Sequence, residues 1–262
     1  MGGFWLHPLS FLVTGLTLLI GTQYEYYIIV RNSGVNPRMV PGLITGISTY
    51  LISSLVASGV VPMNTFLVLI PMLILIMILE LYERQDKPFD SLAHTIFPLF
   101  YIALPFSLFP FSAFSHTGLS SLIPLEGLTF SPGIIIGFFL LIWANDTGAY
   151  LAGVSLGRHR LMERISPKKS WEGFFGGFIF AALVAWLFSD WLGVVDAAEW
   201  IIISVIISIA GTYGDLIESM LKRSAGVKDS GTIMPGHGGF LDRFDSTIIS
   251  FPLVYLFISL LG

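Results

Sequence analysis

Long apolar runs recur along the whole chain and are separated by short polar segments. A helix needs about 20 mostly apolar residues to cross the roughly 30 Å of hydrocarbon in a bilayer. Windows of that length predict about eight membrane-spanning helices, over residues 9–30, 39–59, 63–82, 92–111, 133–155, 173–192, 200–220 and 245–261. Prolines interrupt the fourth window, where neighbouring helices must compensate the lost hydrogen bonds. The pattern therefore predicts an all-α, polytopic transmembrane helical bundle.

The composition supports this class and excludes several others. Of the 262 residues, 54% are hydrophobic and 11% are charged, against roughly 25% charged residues in a soluble domain. The mean hydropathy of +0.81 is too high for an ordinary soluble protein or a disordered one. The net charge of −4 offers no basic excess for nucleic acid, and the absence of cysteine excludes disulfides, Fe–S clusters and cysteine zinc sites.

The basic residues are confined to alternate loops. All 13 lysines and arginines fall in the first, third, fifth and seventh loops between the predicted spans. By the positive-inside rule these loops face the cytoplasm, and both termini then face outward. Because an outward N-terminus without a preceding charged segment is unusual, we expect that a first span is missing upstream. We divide the chain into residues 1–132, with about four spans, and a catalytic region, residues 133–262, with cytoplasmic loops 156–172 and 221–244.

Acidic residues in or beside the predicted spans are functional candidates, because a carboxylate in the bilayer is costly unless it is paired, solvated or bound to a cation. Seven residues qualify: Glu25, Glu80, Asp146, Glu172, Asp215, Glu218 and Asp245. Glu25 and Glu80 lie near cytoplasmic ends, and we interpret them as structural or surface acids. The other five belong to denser polar clusters.

One cluster is a polar stripe on the seventh predicted span. Asp215, Glu218, Ser219 and Lys222 are spaced i, i+3, i+4 and i+7, so they share one helix face. Such a stripe is either an internal ladder of ion pairs or one side of a site for metal and phosphate.

The loop after this stripe is rich in glycines, which permit tight turns and the close approach of a ligand. Their N–H groups can bind phosphate oxygens. Asp242 and Asp245 follow near the start of the last predicted helix. Paired carboxylates with no cysteine and one nearby histidine, His237, favour a hard cation such as Mg²⁺ over Zn²⁺. The alternative is a helix N-cap beside a surface turn.

The second cluster combines Asp146, inside the fifth predicted span, with the segment S-P-K-K-S-W-E-G at residues 166–173. Lys168 and Lys169 are either positive-inside anchors of the membrane span or residues that attract anionic lipid headgroups. The flanking residues predict a shaped turn, and no P-loop motif is present. His237 is interpreted as a hydrogen-bond donor rather than a metal ligand.

Residues 219–245 read S-M-L-K-R-S-A-G-V-K-D-S-G-T-I-M-P-G-H-G-G-F-L-D-R-F-D and resemble the motif of the phosphatidate cytidylyltransferases, also called CDP-diacylglycerol synthases. Residues 146–150 and 166–173 resemble the two upstream motifs of that family, and the resemblance covers roughly residues 10–262. It implies the reaction of CTP with phosphatidate to CDP-diacylglycerol and diphosphate, with Mg²⁺ and with a second cation left open. It further implies a homodimer in a bacterial-type inner (plasma) membrane, with a cytoplasm-facing active site and no nucleic acid partner. The family's usual basic segment and additional first helix are absent here.

The resemblance also implies roles for individual residues. By motif position the metal ligands are Asp215, Asp242 and Asp245, with Glu218 as a weaker candidate. The catalytic set comprises the same three aspartates together with Lys222 and Arg223. The substrate-binding set is Asp146, Ser166, Lys168, Lys169, Ser219, Lys228, Asp229, Gly236, His237, Gly238, Gly239 and Arg243.

Other functions remain as alternatives to this reading. The nearest is another CTP-using lipid enzyme, such as a polyprenol kinase or an archaeal-lipid cytidylyltransferase, because a membrane span does not distinguish acyl from isoprenoid chains. A CDP-alcohol phosphotransferase is disfavoured because its D-x2-D-G-x2-A-R motif is missing. An ion or proton transporter also uses intramembrane acids, but this chain shows no internal repeat and its acids cluster with lysine and arginine.

Overall fold

The computed structural model describes residues 7–116, 128–227, 230–231 and 238–261. Helices make up most of this part of the chain, so the predicted all-α, polytopic class is confirmed. In chain order they are α1 (Pro8–Asn32), α2 (Met39–Ala57), a 3₁₀-helix (Met63–Val68) that runs into α3 (Leu69–Leu81), α4 (Pro88–Pro98), a π-helix (Leu99–Ala103), α5 (Leu104–Ser107), α6 (Phe109–Ala113), α7 (Gly133–Leu156), α8 (Trp171–Leu192), α9 (Ala197–Ser224) and α10 (Phe240–Leu261).

Within the described residues, seven helical stretches are long and apolar enough to cross a membrane. They correspond to the second to eighth predicted spans, with Met63–Leu81 and Pro88–Ala113 each counted as one stretch. Helix α1 matches the first predicted span in length, at 25 residues, but is not among the seven. Its second half carries polar side chains, including Gln23 and Glu25, which lower its hydropathy. The described part of the chain thus has eight long helical stretches, seven of them with a membrane-spanning composition.

Two short antiparallel hairpins interrupt the helical pattern. β1 (Phe114–His116) pairs with β2 (Leu128–Phe130), and β3 (Arg160–Met162) pairs with β4 (Ser166–Ser170). Where the sequence predicts a shaped turn at residues 166–173, the structure has strand β4 leading directly into α8. Such short strands are missed because they give too little alternation of polar and apolar residues to detect.

The chain divides into two compact units, which we describe separately. Unit 1 comprises residues 1–132 and 224–243, and unit 2 comprises residues 133–223 and 244–262. The first residues of α10, up to residue 243, therefore count with unit 1 and the remainder with unit 2. The functional division at residues 132 and 133 stays a prediction.

In unit 1, α1 and α2 pack closely because polar side chains of α1 lie against glycines of α2. The Tyr27 hydroxyl lies against Gly42 and the Gln23 amide lies against Gly46, so that a methyl group at either glycine would collide with them. Gln23 Nε2 donates to the Gly42 carbonyl at 3.0 Å, and the Tyr27 hydroxyl donates to the Thr95 carbonyl at 2.9 Å. These bonds satisfy buried polar groups and fix α1 against both α2 and α4.

The carboxylate of Glu80 in α3 is buried, with 6% of the side chain exposed. Its Oε2 atom accepts a hydrogen bond from Arg38 Nε at 2.7 Å, and Arg38 also pairs with Glu83. Glu25 in α1 is buried as well. The surface interpretation of Glu25 and Glu80 is therefore wrong, and the structural interpretation holds for Glu80 because a guanidinium neutralises its charge.

In unit 2, α7 and α8 pack along their length through small residues. A Cβ atom at Gly148 would lie 2.7 Å from the Gly176 carbonyl oxygen, and one at Gly177 would lie 2.7 Å from the Asn145 carbonyl oxygen. Helices in membranes associate through such stripes of small residues because their backbones can approach closely. The contact fixes the polar segment of α7 around residue 145 against the second turn of α8.

Candidate active site

Two glycines bring α9 into backbone contact with α10 in unit 2. A Cβ atom at Gly214 would lie 2.5 Å from the Asp245 carbonyl oxygen, and one at Gly211 would lie 3.3 Å from Ser246 Cβ. The Ser246 hydroxyl also donates a hydrogen bond to the Gly211 carbonyl at 3.2 Å. Because Asp215 follows Gly214 directly, this close approach places its side chain beside Asp245.

Three carboxylates meet where the two helices touch. Asp215, Glu218 and Asp245 each offer one oxygen, and these oxygens lie within 4.8 Å of one another. Oxygens on opposite sides of an octahedral Mg²⁺ lie about 4.2 Å apart, given metal–oxygen distances of roughly 2.1 Å. The all-oxygen donor set and the spacing therefore fit a hard divalent cation after a small closure of the side chains.

Two lysines pair with these carboxylates. Lys169 Nζ forms an ion pair with Asp215 Oδ2, and Lys222 Nζ lies 2.6 Å from Oε2 of Glu218, whose side chain is 1% exposed. The Ser219 hydroxyl donates to Asp215 Oδ1 at 3.2 Å. The predicted stripe on α9 is thus a ladder of polar contacts that also contributes two carboxylates to an acidic group. Its interpretation as one side of a site for metal and phosphate stays a prediction.

The hairpin β3–β4 carries Lys169 to the acidic group. Glu172, in the first turn of α8, accepts hydrogen bonds from the backbone N–H groups of Arg158 and His159 and contacts His159 Nδ1 at 2.6 Å. Ser170 caps α8 by accepting from the Gly173 amide at 3.1 Å. Glu172 therefore ties the start of the hairpin to the helix that follows it.

A cavity of about 260 Å³ lies beside the acidic group in unit 2. Asp146, Lys168, Lys169 and Asp215 line its polar part, and Phe174 contributes apolar surface. The charges of Asp146 and Asp245 both interact with Lys169 and Asp215. A concave site that mixes carboxylates and ammonium groups in this way suits a phosphorylated ligand accompanied by a cation.

Asp242 belongs to unit 1, where it organises the loop before α10. Its Oδ2 atom accepts hydrogen bonds from the Ser230 amide at 3.1 Å, the Ser230 hydroxyl at 2.8 Å and the Gly239 amide at 2.9 Å. Gly238, between these contacts, has a φ of 81°, which favours glycine. Asp242 is not a member of the acidic group formed by Asp215, Glu218 and Asp245 among the described residues.

The predicted site residues thus fall into several sets. Unit 2 brings together Asp146, Lys168, Lys169, Asp215, Glu218, Ser219, Lys222 and Asp245. Ser166 begins β4 and is not among the residues that line the cavity, while Arg223 and Arg243 are exposed near helix ends. Lys228, Asp229, Gly236 and His237 lie outside the described residues.

Sequence reasoning missed Gly211, Gly214 and Ser246, which shape the acidic group of unit 2, and Ser230, which contacts Asp242 in unit 1. The spacing of Gly211 and Gly214 in an otherwise apolar helix is the signal for a close helix crossing. Ser230 and Ser246 carry no comparable signal, because a single serine in a loop or helix is ordinary.

We expect Gly214→Ala to destabilise the protein by about 1–3 kcal/mol, because the added methyl group meets a backbone oxygen that cannot move aside. Gly211→Ala is the matched control, since its methyl group would meet Ser246 at 3.3 Å and alanine favours a helix. The measurement is the midpoint of thermal unfolding of both variants in detergent. Equal midpoints for the two variants would contradict the proposed contact.

Comparisons with known proteins show similarity to cytidylyltransferases. Residues 1–261 match the sequence profile of the cytidylyltransferase family. The phosphatidate cytidylyltransferase of Staphylococcus saprophyticus is 48% identical over 134 residues, which cover 49% of this chain and 48% of that protein. Those of Staphylococcus aureus (strain COL) and Staphylococcus epidermidis (strain RP62A) are 47% and 44% identical, with the same coverage. The chain spans about half the length of the curated relatives it matches.

Proposed function

Because this chain belongs to the cytidylyltransferase family, we propose that it transfers the cytidylyl group of CTP to phosphatidate, giving CDP-diacylglycerol and diphosphate. The observation that carries the proposal is the group of Asp215, Glu218 and Asp245, with Lys169 and Lys222 paired to it, in a chain of membrane-spanning helices. A reaction between two phosphorylated substrates, one of them a lipid, needs such a combination of acids, cations and membrane helices.

The proposed chemistry is an in-line displacement at phosphorus. An oxygen of the phosphatidate phosphate attacks the α-phosphorus of CTP, a new P–O bond forms, and the bond to the bridging oxygen breaks so that diphosphate leaves with its electron pair. A phosphomonoester is largely dianionic near pH 7, since its second pKa is about 6. The nucleophile therefore needs little help from a general base, and the protein must mainly bring two polyanions together.

The basic residues are proposed to offset this charge repulsion. Lys168 and Lys169 line the cavity, and Lys222 lies at the acidic group, which supports the proposal that all three bind phosphate oxygens. Fixed ammonium groups in a site of restricted water stabilise the charge that develops on the leaving diphosphate. Motif position adds Arg223, Lys228 and Arg243 to this proposed set, together with the loop residues Asp229, Gly236, His237, Gly238 and Gly239 and the flanking Ser166 and Ser219.

The acidic group is proposed to hold the metal. Asp215, Glu218 and Asp245 would bind Mg²⁺, and motif position proposes Asp242 as a further ligand. When bound, the ion would neutralise phosphate charge and polarise the α-phosphorus. Asp146 faces the same cavity and interacts with Lys169, so we propose that it orients this lysine towards substrate.

The proposed setting is a bacterial inner membrane, with the site on the cytoplasmic side where CTP is available. The confinement of lysines and arginines to alternate loops supports this orientation. The lipid substrate would then arrive from the bilayer itself. A homodimer and a catalytic region over residues 133–262 remain proposals that rest on family resemblance.

In the decisive experiment, detergent-solubilised protein is supplied with labelled CTP, phosphatidate and Mg²⁺, and incorporation of the label into lipid is measured. With CTP labelled at the α-phosphate, labelled CDP-diacylglycerol should form, and EDTA should abolish the product until Mg²⁺ is restored. With CTP labelled at the γ-phosphate, no label should enter lipid. Folded, monodisperse protein that makes no product under these conditions would contradict the proposal.

Two further arms separate the nearest alternatives. Transfer of the γ-label to a polyprenol would indicate a kinase. Preference for an isoprenoid-ether analogue of phosphatidate over the diacyl lipid would indicate an archaeal-type cytidylyltransferase.

A further inference from the structure

Glu25 of α1 reaches from the N-terminal part of unit 1 to the loop that precedes α10. Its side chain is 2% exposed. Its Oε2 atom lies 3.1 Å from the Ser230 hydroxyl, whose proton it shares with Asp242, and it accepts a hydrogen bond from the Leu241 amide at 2.9 Å. One carboxylate therefore joins both ends of the loop to a helix some 200 positions earlier in the chain.

Two glycines of the loop make room for this carboxylate. A Cβ atom at Gly231 would lie 2.7 Å from Glu25 Oε1, and one at Gly239 would collide with Glu25 Oε2 and with the Ser230 hydroxyl. The backbone is thus folded directly around the acid, at two positions that any side chain would fill.

The Leu241 amide lies in the first turn of α10, where helix N–H groups have no partner within the helix. Glu25 supplies the missing acceptor from another helix, and its negative charge suits the helix N-terminus. Asp242 holds the Gly239 and Ser230 amides in the same way. Both carboxylates contact the Ser230 hydroxyl, so together they hold Ser230 in place.

We propose that Glu25 is a positioning residue for the described residues next to the start of α10, Ser230, Gly231 and Gly239, acting through Ser230 and Leu241. This inference rests on the proposed function, because the loop carries residues proposed to bind the nucleotide. The carboxylate is the acceptor of two donors beside the start of α10, which lose it when the side chain is removed. Its value at this position is to set the geometry of the loop.

The kinetic test compares three variants of Glu25 in the full-length protein. Glu25→Ala removes both hydrogen bonds and should lower kcat/KM for CTP by about tenfold or more. Glu25→Gln keeps an oxygen that accepts from both donors and should stay within about threefold of the unsubstituted protein. Glu25→Asp is one methylene shorter and should behave like the alanine variant.

Gln23→Ala is the matched control. Gln23 is a fully buried polar residue of the same helix, and its hydrogen bonds run to Tyr27 and Gly42 rather than to the loop. A merely structural role of Glu25 predicts that Gln23→Ala and Glu25→Ala lose thermal stability and activity together. A positioning role predicts that Glu25→Ala lowers kcat/KM further than Gln23→Ala does for the same loss of thermal stability.

Hydrogen–deuterium exchange separates this inference from the proposed function, because it needs no turnover. Peptides that contain Gly239 and Leu241 should exchange about tenfold faster in Glu25→Ala and unchanged in Gln23→Ala. Faster exchange in a protein that makes no CDP-diacylglycerol would uphold the positioning role and overturn the proposed function. Unchanged exchange, or kinetics of Glu25→Ala equal to those of Gln23→Ala, would overturn the positioning role.

Discussion

Asp215→Asn should lower turnover by at least about 10²-fold, which is the scale of losing one preorganised electrostatic contact. Asp215 is central to the site, since its Oδ2 atom pairs with Lys169 and its Oδ1 atom accepts from Ser219. It is also a member of the group of three carboxylates proposed to hold Mg²⁺. The amide keeps the size of the side chain but loses the charge that both the lysine and the cation require. The measurement is kcat for CDP-diacylglycerol formation at saturating CTP and phosphatidate.

Asp190→Asn is the control for this change. Asp190 is an exposed acid near the C-terminal end of α8, and it is in neither the acidic group nor the lining of the cavity. Its substitution should leave kcat within about twofold, as is usual for surface changes. If Asp215→Asn turned over as fast as Asp190→Asn, the carboxylate of Asp215 would have no part in the reaction.

Asp242→Asn should also lower turnover by at least about 10²-fold, with the protein still folded. Motif position proposes Asp242 as a metal ligand. The structure adds a second reason, because Asp242 Oδ2 accepts three hydrogen bonds that fix the loop before α10. Asparagine lacks the charge that strengthens such bonds, and hydrogen bonds to ionised acceptors are roughly twice as strong as neutral ones.

A titration with Mg²⁺ distinguishes the two roles of Asp242. If the residue binds the ion, activity of the asparagine variant should recover in part as the Mg²⁺ concentration is raised; if it only holds the loop, Mg²⁺ should make no difference.

Asp196→Asn is the matched control for Asp242→Asn. Asp196 Oδ1 accepts a hydrogen bond from the Glu199 amide at the start of α9, far from these motifs in the sequence. Lys87→Ala, on an exposed loop, should be near neutral. Unchanged turnover in Asp242→Asn would remove the residue from the proposed site.

The helices were predictable from sequence because their cause is local. A run of about 20 apolar residues has few alternatives in a bilayer, so the predicted span at 133–155 matches Gly133–Leu156 closely. The polar ends of helices escape this signal. Helix α9 runs to Ser224, whereas the predicted span ends at residue 220, because the charged last turn does not register as apolar. The hairpin β3–β4 escapes it entirely, since its strands are three and five residues long and show too little alternation to detect.

The candidate site was predictable only along single helices. Helical spacing predicts the pairing of Glu218 with Lys222, which the structure confirms at 2.6 Å. The pairing of Lys169 with Asp215 depends on how a hairpin packs on a helix, and no spacing in the sequence encodes it. The contact of Glu25 with the loop before α10 joins positions that lie even farther apart in the sequence. No periodicity or motif of the sequence connects those positions.

The pairing of the acids on α9 also bears on how this helix enters a membrane during synthesis. A charged residue in an inserting helix costs roughly 2.5–3.5 kcal/mol when it stands alone. Glu218 and Lys222 are spaced i and i+4 with the acid first, the favourable order, so they neutralise each other as soon as the helix forms. Asp215 forms its ion pair with Lys169, which precedes it in the chain and is therefore synthesised first. The partners of Asp215 and Glu218 are therefore both synthesised before Asp245, which is the last acid of the group to be made.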